Sequence, residues 1–287
     1  MKIVTDCAAD LTPEEAQSLD ITVAPLYIRF PEGEVSSNDL TADEFYSRLE
    51  NMQPDIPTTA HPSAGNFAEI YNKLLEMGEE ILSIHISSGL SGTFNAARLA
   101  AQQLKEGLVQ VMDTLTLSGG QRLQVLAAAR AVKAGWSKTA IAERLDAIRK
   151  STEVIYTLDT LTYLARGGRI GRVQALAGSL LNIKPIIHVD RADGKYSTVG
   201  KARTIGRALD EIADHLSSLY NHETPVWVSI MHGKFEEQAQ ALASLLKDRL
   251  NVTHIEVLRI SPVLGVHTGP KVVGAVVVPF HLIEDFS

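Results

Sequence analysis

The stretch from Ile81 to Arg98 constrains the fold most, because three patterns follow one another within it. Ile81 to Ile86 is a short apolar run with the length and branched side chains of a buried strand. Phe94 to Leu104 carries apolar residues at helical spacing with abundant alanine. Between them Ser87, Ser88, Gly89, Ser91, Gly92 and Thr93 make a loop of hydroxyls and glycines. The first turn of a helix leaves backbone N–H groups unpaired and partly positive, so hydroxyls beside it complete a cradle for an anion. Glycine lets the backbone approach whatever is held. Ser91 and Gly92 are therefore candidate ligand contacts. The same residue types are ordinary turn and cap formers, so the loop alone names no ligand.

The flanking segments continue the alternation. Lys2 to Val4 reads as a strand, and Thr5 and Asp6 follow it at the carboxyl end, where open α/β sheets collect ligands. Thr12-Pro13 opens a helix, Ile21 to Phe30 reads as one further strand, and Thr41 with Glu44 has the spacing of a capping box. Two prolines hold Pro57 to Ser63 extended, presenting Thr58, Thr59, His61 and Ser63, of which Ser63 caps the next helix. After the strand at Val109 to Met112 come two helices, the second starting at Trp136-Ser137 and running to about Lys150. Strands alternating with helices predict a mostly parallel sheet over residues 1–151.

The remainder, 152–287, reads as an α+β domain. Val154 to Leu158 is a strand. Arg166-Gly-Gly-Arg-Ile-Gly-Arg172 breaks a helical pattern into two helices at a tight corner. Lys184 to Val189 and Lys195 to Val199 flank Asp193-Gly194, a strong hairpin signal. A helix near Thr204 to Tyr220, strands at Pro225 to Met231 and His254 to Ile260, an intervening helix and an apolar strand ending at Phe280 complete it.

With 45% hydrophobic and 21% charged residues over 287 positions, the chain can bury a substantial core. Its 27 basic and 34 acidic residues give a net charge of −7, which argues against a nucleic-acid or anionic-membrane binder. An acidic ligand needs local basic help. Cys7 is the single cysteine, so no intrachain disulfide forms, and burial is the expected role of its thiol. The chain enters its first strand at once, and the run Val272 to Phe280 is too short to span a bilayer. The expected location is cytoplasmic.

No catalytic motif is complete. The nine histidines include no pair with ligand spacing, so no metal site is expected. Gly89-Leu90-Ser91-Gly92-Thr93 approaches a nucleophile elbow but has Thr93 in its fifth position. Gly89 and Gly92 lack the third glycine of a dinucleotide fingerprint, and no Walker-type lysine is present. What remains is an anion cradle made of Ser91 and Thr59, with a histidine to orient it; His267 is the candidate, but a lone histidine is more often structural and residue spacing does not choose among the nine.

Taken together, six segments resemble the DegV family. They are Thr5-Asp6-Cys7, Pro57 to Ser63, Ser87 to Thr93, Gly167 to Ile170, Lys184 to Ile186 and Gly265 to Pro270. The resemblance implies two α/β domains that bury one long-chain fatty acid between them. By position, Thr59 and Ser91 would hold the carboxylate, with His267 in support. It further implies the binding subunit of a bacterial fatty acid kinase, without catalytic machinery or cofactor of its own. A separate ATP-binding subunit would convert the acid to an acyl phosphate for phospholipid metabolism. Arg172 and Arg203 would face that partner. Leu161, Leu164, Val173, Leu176 and Leu180 are candidates for the tail's wall. Two positions depart from the family pattern: Cys7 stands for serine, and Ala60-His61 replace Ser and usually Gln. The rival reading from another class is a lipid-directed serine hydrolase using Ser91.

Overall fold

The computed structural model describes residues 1–177 and 183–286. The chain begins with β1 (Lys2–Asp6) and β2 (Ile21–Ala24), then makes three short strands, β3 (Tyr27–Phe30), β4 (Gly33–Ser36) and β5 (Thr58–Ala60). It returns through β6 (Ile81–His85) and β7 (Val109–Asp113). A second series follows: β8 (Glu153–Leu158), β9 (Lys184–Val189), β10 (Tyr196–Ala202), β11 (Val226–His232), β12 (Val252–Arg259) and β13 (Val272–Pro279).

Three sheets result. The first is parallel throughout, in the order β2-β1-β6-β7. The second has six strands in the order β10-β9-β8-β13-β11-β12, and all its neighbours are antiparallel except β11 and β12. The third is a small antiparallel sheet, β4-β3-β5. The run expected as one strand from Ile21 to Phe30 is thus two strands in different sheets. Pro25 separates them, since it has no N–H to give to a ladder. The Pro57 to Ser63 segment, in turn, places Thr59 in β5 opposite Ile28.

Between the two large sheets lies the helix Ser118–Lys133, buried on nearly every side and packed on β1, β6, β8 and β11. A helix buried all round must be a central layer rather than a surface one. Its Arg122 reaches Glu15 Oε2 at 3.0 Å and Glu256 Oε1 at 2.7 Å, so one guanidinium joins both halves of the chain. Asp10 makes a second tie, accepting from Ser118 Oγ at 2.5 Å and from Ser261 N at 2.7 Å. Helices Ala64–Leu75 and Thr93–Ala101 cover the outer face of the parallel sheet. Helices Ile205–Leu219 and Glu236–Arg249 cover the outer face of the six-stranded one.

The glycine-broken stretch forms a short helix Thr162–Arg166, a 3-10 turn Gly171–Val173 and the helix Gln174–Ala177. Residues 178–182, including Leu180 of the expected tail wall, lie outside the described residues. The segment before β13 contains a helix not foreseen from sequence, Pro262–Thr268, with a proline in its first turn.

Candidate functional site

The loop between β6 and the helix Thr93–Ala101 is held from below. Asp113 accepts the Ser88 N–H at 3.2 Å, Ser87 N donates to Thr116 O at 2.8 Å, and Ser87 Oγ accepts the Gly89 N–H at 3.1 Å. Ser91 Oγ lies 2.8 Å from Thr93 Oγ1. Gly92 is the helix N-cap and supplies no side-chain cap; Ser91 Oγ instead accepts the Thr93 N–H at 3.3 Å. Gly92 itself sits under His61: a Cβ there would stand 2.5 Å from His61 Nε2. The His61 residue is nonetheless exposed.

Two residues far apart in sequence meet beside this loop. Thr59 Oγ1 and His267 Nε2 are 2.8 Å apart across 208 positions. His267 comes from the helix Pro262–Thr268, and the Gly-Gly corner closes on its other edge, where a Cβ at Gly167 would collide with His267 Nδ1. Burial, and then the nearby Arg169 charge, push the His267 imidazole down to about 4. At neutral pH it is therefore an uncharged ring, a hydrogen-bonding partner and not a counter-ion.

The positive charge is Arg169. Its Nη1 donates to Gly167 O at 2.8 Å, and it lines the same void as Thr59, Ser91 and His267. This void encloses about 410 Å³ with its mouth included. Leu117, Tyr196 and Leu264 form part of its wall and also part of the wall of an adjoining void of about 440 Å³. The second is lined almost wholly by apolar side chains, among them Val154, Met231, Ile260, Val272 and Val276. A polar void therefore adjoins an apolar one across three shared wall residues, between the central helix and the six-stranded sheet. The space that could hold water-sized occupants is much smaller, about 50 Å³ in the apolar void and about 30 Å³ in the polar one, so a bound chain would have to part these walls.

The structure brings together three of the expected residues, Thr59, Ser91 and His267. Gly92 lies at the helix start and not in the wall of the void. Arg172 is outside as well, paired with Asp190 at 3.2 Å and with Asp193, and Arg203 is exposed just beyond β10. Arg169 was missed, although it stands inside the Gly-Gly-Arg-Ile segment already singled out. Residues expected to wall a tail lie away from both voids. Leu164 and Val173 are fully buried core and Leu161 packs against that core, but none of them lines either void; nothing is described of the Leu176 side chain. Helical periodicity identifies a buried face without saying what it is buried against.

Catalytic alternatives can be compared with this geometry. A hydrolytic Ser91 needs a base within reach, and its hydroxyl bonds Thr93. A Ser-His-Asp chain does exist elsewhere: Ser83 Oγ is 2.7 Å from His85 Nε2, and His85 Nδ1 is 2.9 Å from Asp6 Oδ2. All three side chains are fully buried, and Ser83 also accepts the Tyr71 hydroxyl at 2.8 Å. They join the central strands internally. The Cys7 thiol is pushed up to about 12, chiefly by burial, and it accepts the Leu26 N–H. One group among the described residues has the side chains to hold a metal, Glu153 with His188 and His215, on the far face of the six-stranded sheet.

A family model described as "Uncharacterised protein, DegV family" matches residues 1–279. The chain belongs to the DegV family. A DegV domain-containing protein of Deinococcus radiodurans is 34% identical over 277 residues, covering 96% of this chain and 95% of the relative. Among solved structures, a DegV family protein from Thermus thermophilus described by its fatty acid binding has a TM-score of 0.89 and 32% identity, over 97% of this chain and 99% of that one. A stearic acid-binding protein from Eubacterium ventriosum has a TM-score of 0.84 and 28% identity, over 97% and 98%. The DegV fold of this chain accordingly has the parallel N-terminal sheet and mixed C-terminal sheet described above. No helix among the described residues is long and apolar enough to cross a membrane.

Proposed function

We propose that this protein binds one long-chain fatty acid, its carboxylate beside Thr59, Ser91 and Arg169 and its tail in the apolar void behind Leu117, Tyr196 and Leu264. The observation that carries the reading is a small polar void, one cation included, set directly against that apolar one. Relatives described as fatty-acid-binding support it. Each buried methylene contributes about 0.8 kcal/mol, so the tail supplies the affinity and the head group needs only orientation. His267, neutral, fixes the Thr59 hydroxyl; Arg169 offsets the carboxylate charge.

In this reading the protein is a carrier and not an enzyme. It acts in the cytoplasm and presents the acid to a separate ATP-dependent kinase subunit for acyl phosphate formation. Two domains, 1–151 and 152–287, enclose the ligand, and exposed Arg172 and Arg203 lie toward the partner. The test is mass spectrometry of an organic extract of purified protein beside Ser91→Ala and an unrelated protein handled identically. A near-stoichiometric fatty acid that falls in the variant is expected. If no lipid is enriched and none is taken up when acids are supplied, the carrier reading is wrong.

A further inference from the structure

The start of β8 carries a second cluster, unconnected with the lipid cavity. Along β8, the side chains of Val154 and Tyr156 join the core on the cavity side, while that of Ile155 packs with Ile186 among the outer helices. Glu153 and His188 share the parity of Ile155 and Ile186, so they point outward too. There they meet His215 from the helix Ile205–Leu219. His188 Nδ1 and His215 Nε2 lie 2.8 Å and 3.3 Å from the same oxygen, Glu153 Oε1. All three atoms are within 4.8 Å of one another.

Two nitrogens and one oxygen from three separate elements are the donor set of an open zinc site. Tetrahedral ligands about 2.0 Å from zinc stand roughly 3.3 Å apart, close to the 2.8 Å and 3.3 Å that separate the two histidine nitrogens from Glu153 Oε1. The carboxylate is also held for the purpose. Glu153 Oε2 makes no hydrogen bond and lies 3.2 Å from the Arg191 guanidinium, which leaves Oε1 facing the two rings. An outer partner that orients a ligand in this way is a regular feature of metal sites. The same two ring nitrogens contact Glu153 Oε1 in the absence of an ion, so a bound cation would take the place of any proton they share with it. The Glu153 side chain is 1% exposed, whereas the histidines keep 24% and 26% of theirs in solvent, which gives an ion a way in.

We propose that Glu153, His188 and His215 form a binding site for one divalent cation of the zinc type, with solvent completing its coordination. The bound ion would staple β8 and β9 to the helix Ile205–Leu219, just after the helix Lys138–Ser151 that links the two large sheets. Arg191, half in solvent, remains on the other carboxylate oxygen.

The experiment uses the full chain, stripped with chelator and dialysed. Zn²⁺ alone is titrated by calorimetry, and Co²⁺ is added to read the visible absorption of tetrahedral coordination. His188→Gln and His215→Gln keep size and a hydrogen-bonding group, and His281→Gln, on an exposed histidine elsewhere, is the control. Thermal unfolding in chelator establishes that each variant is folded. One equivalent of Zn²⁺, a tetrahedral Co²⁺ spectrum, a loss of affinity of tenfold or more in both cluster variants and no change in the control are expected. The proposal is overturned if the wild type binds no ion, or if folded cluster variants bind as the wild type does. Should a variant not fold, a wild type whose melting temperature and Co²⁺ spectrum ignore the metal overturns it equally.

Discussion

At the scale of single residues, His267 has the clearest consequence. Its folded value is about 4 against an ordinary 6.5, so between those values the unfolded chain binds the extra proton. Stability attributable to this ring therefore falls as pH drops from 6.5 to 4, by up to about 3 kcal/mol. Asp10 works the other way: burial raises its carboxyl to about 6, and its protonation favours the folded state as pH falls. Comparing wild type with His267→Gln isolates the first effect. The wild type should lose melting temperature relative to the variant across that window; parallel curves would show that the ring is not held neutral. Arg169→Met should raise the His267 value seen by NMR titration, because Arg169 helps to lower it, and should weaken fatty acid binding by roughly tenfold or more, the worth of a hydrogen bond to a charged group. Cys7 should react with iodoacetamide far more slowly in the native protein than in denaturant.

Among elements, the β9–β10 hairpin matters most, since its turn rests on the β6 loop. Gly194 has φ +65°, and a Cβ there would collide with Ser87 Oγ and stand 2.8 Å from Leu115 Cα. Both the left-handed backbone and the contact exclude a side chain. Gly194→Ala is expected to destabilise the protein by about 1 kcal/mol or more, read by urea unfolding. The same substitution should quicken fatty acid release, because the turn would lift from the loop that holds Ser91. Release at the wild-type rate would separate the hairpin from the site. The hairpin and its Asp-Gly turn were legible in the residues, as were the caps at Thr12, Thr41 and Ser63. Those signals act within a few positions, so they are read without knowing the rest of the fold. The helix Pro262–Thr268 was not legible. It is short, almost entirely buried, and stabilised by the surfaces it lies between, so it shows no amphipathic period.

For the molecule as a whole, a ligand that binds only the folded state raises its stability by mass action. Added long-chain fatty acid should therefore raise the melting temperature in proportion to the logarithm of its concentration. Filling the apolar void tests where the tail lies. Val276 is buried on β13 and lines that void. Val276→Phe should weaken long saturated acids more than medium-chain ones, by about 0.8 kcal/mol for each methylene displaced. Equal weakening of both would move the tail elsewhere.

The amino-acid sequence by itself determined the local things: most of the strands and helices, where most of them start, and the ordered motifs that mark a DegV chain. Strand and helix periodicity, proline and cap chemistry all act over a few residues. Tertiary structure alone decided which motif residues share a site. Thr59 and His267 touch across 208 positions, and Arg169 lines the void while Arg172 pairs with Asp190 and Asp193 outside it. The same holds for Glu153 with His188 and His215, which lie 35 and 62 positions away and show no ligand spacing. Their meeting depends on strand order, on the parity of two neighbouring strands and on a helix laid across them, and none of these is written in any one stretch of the chain.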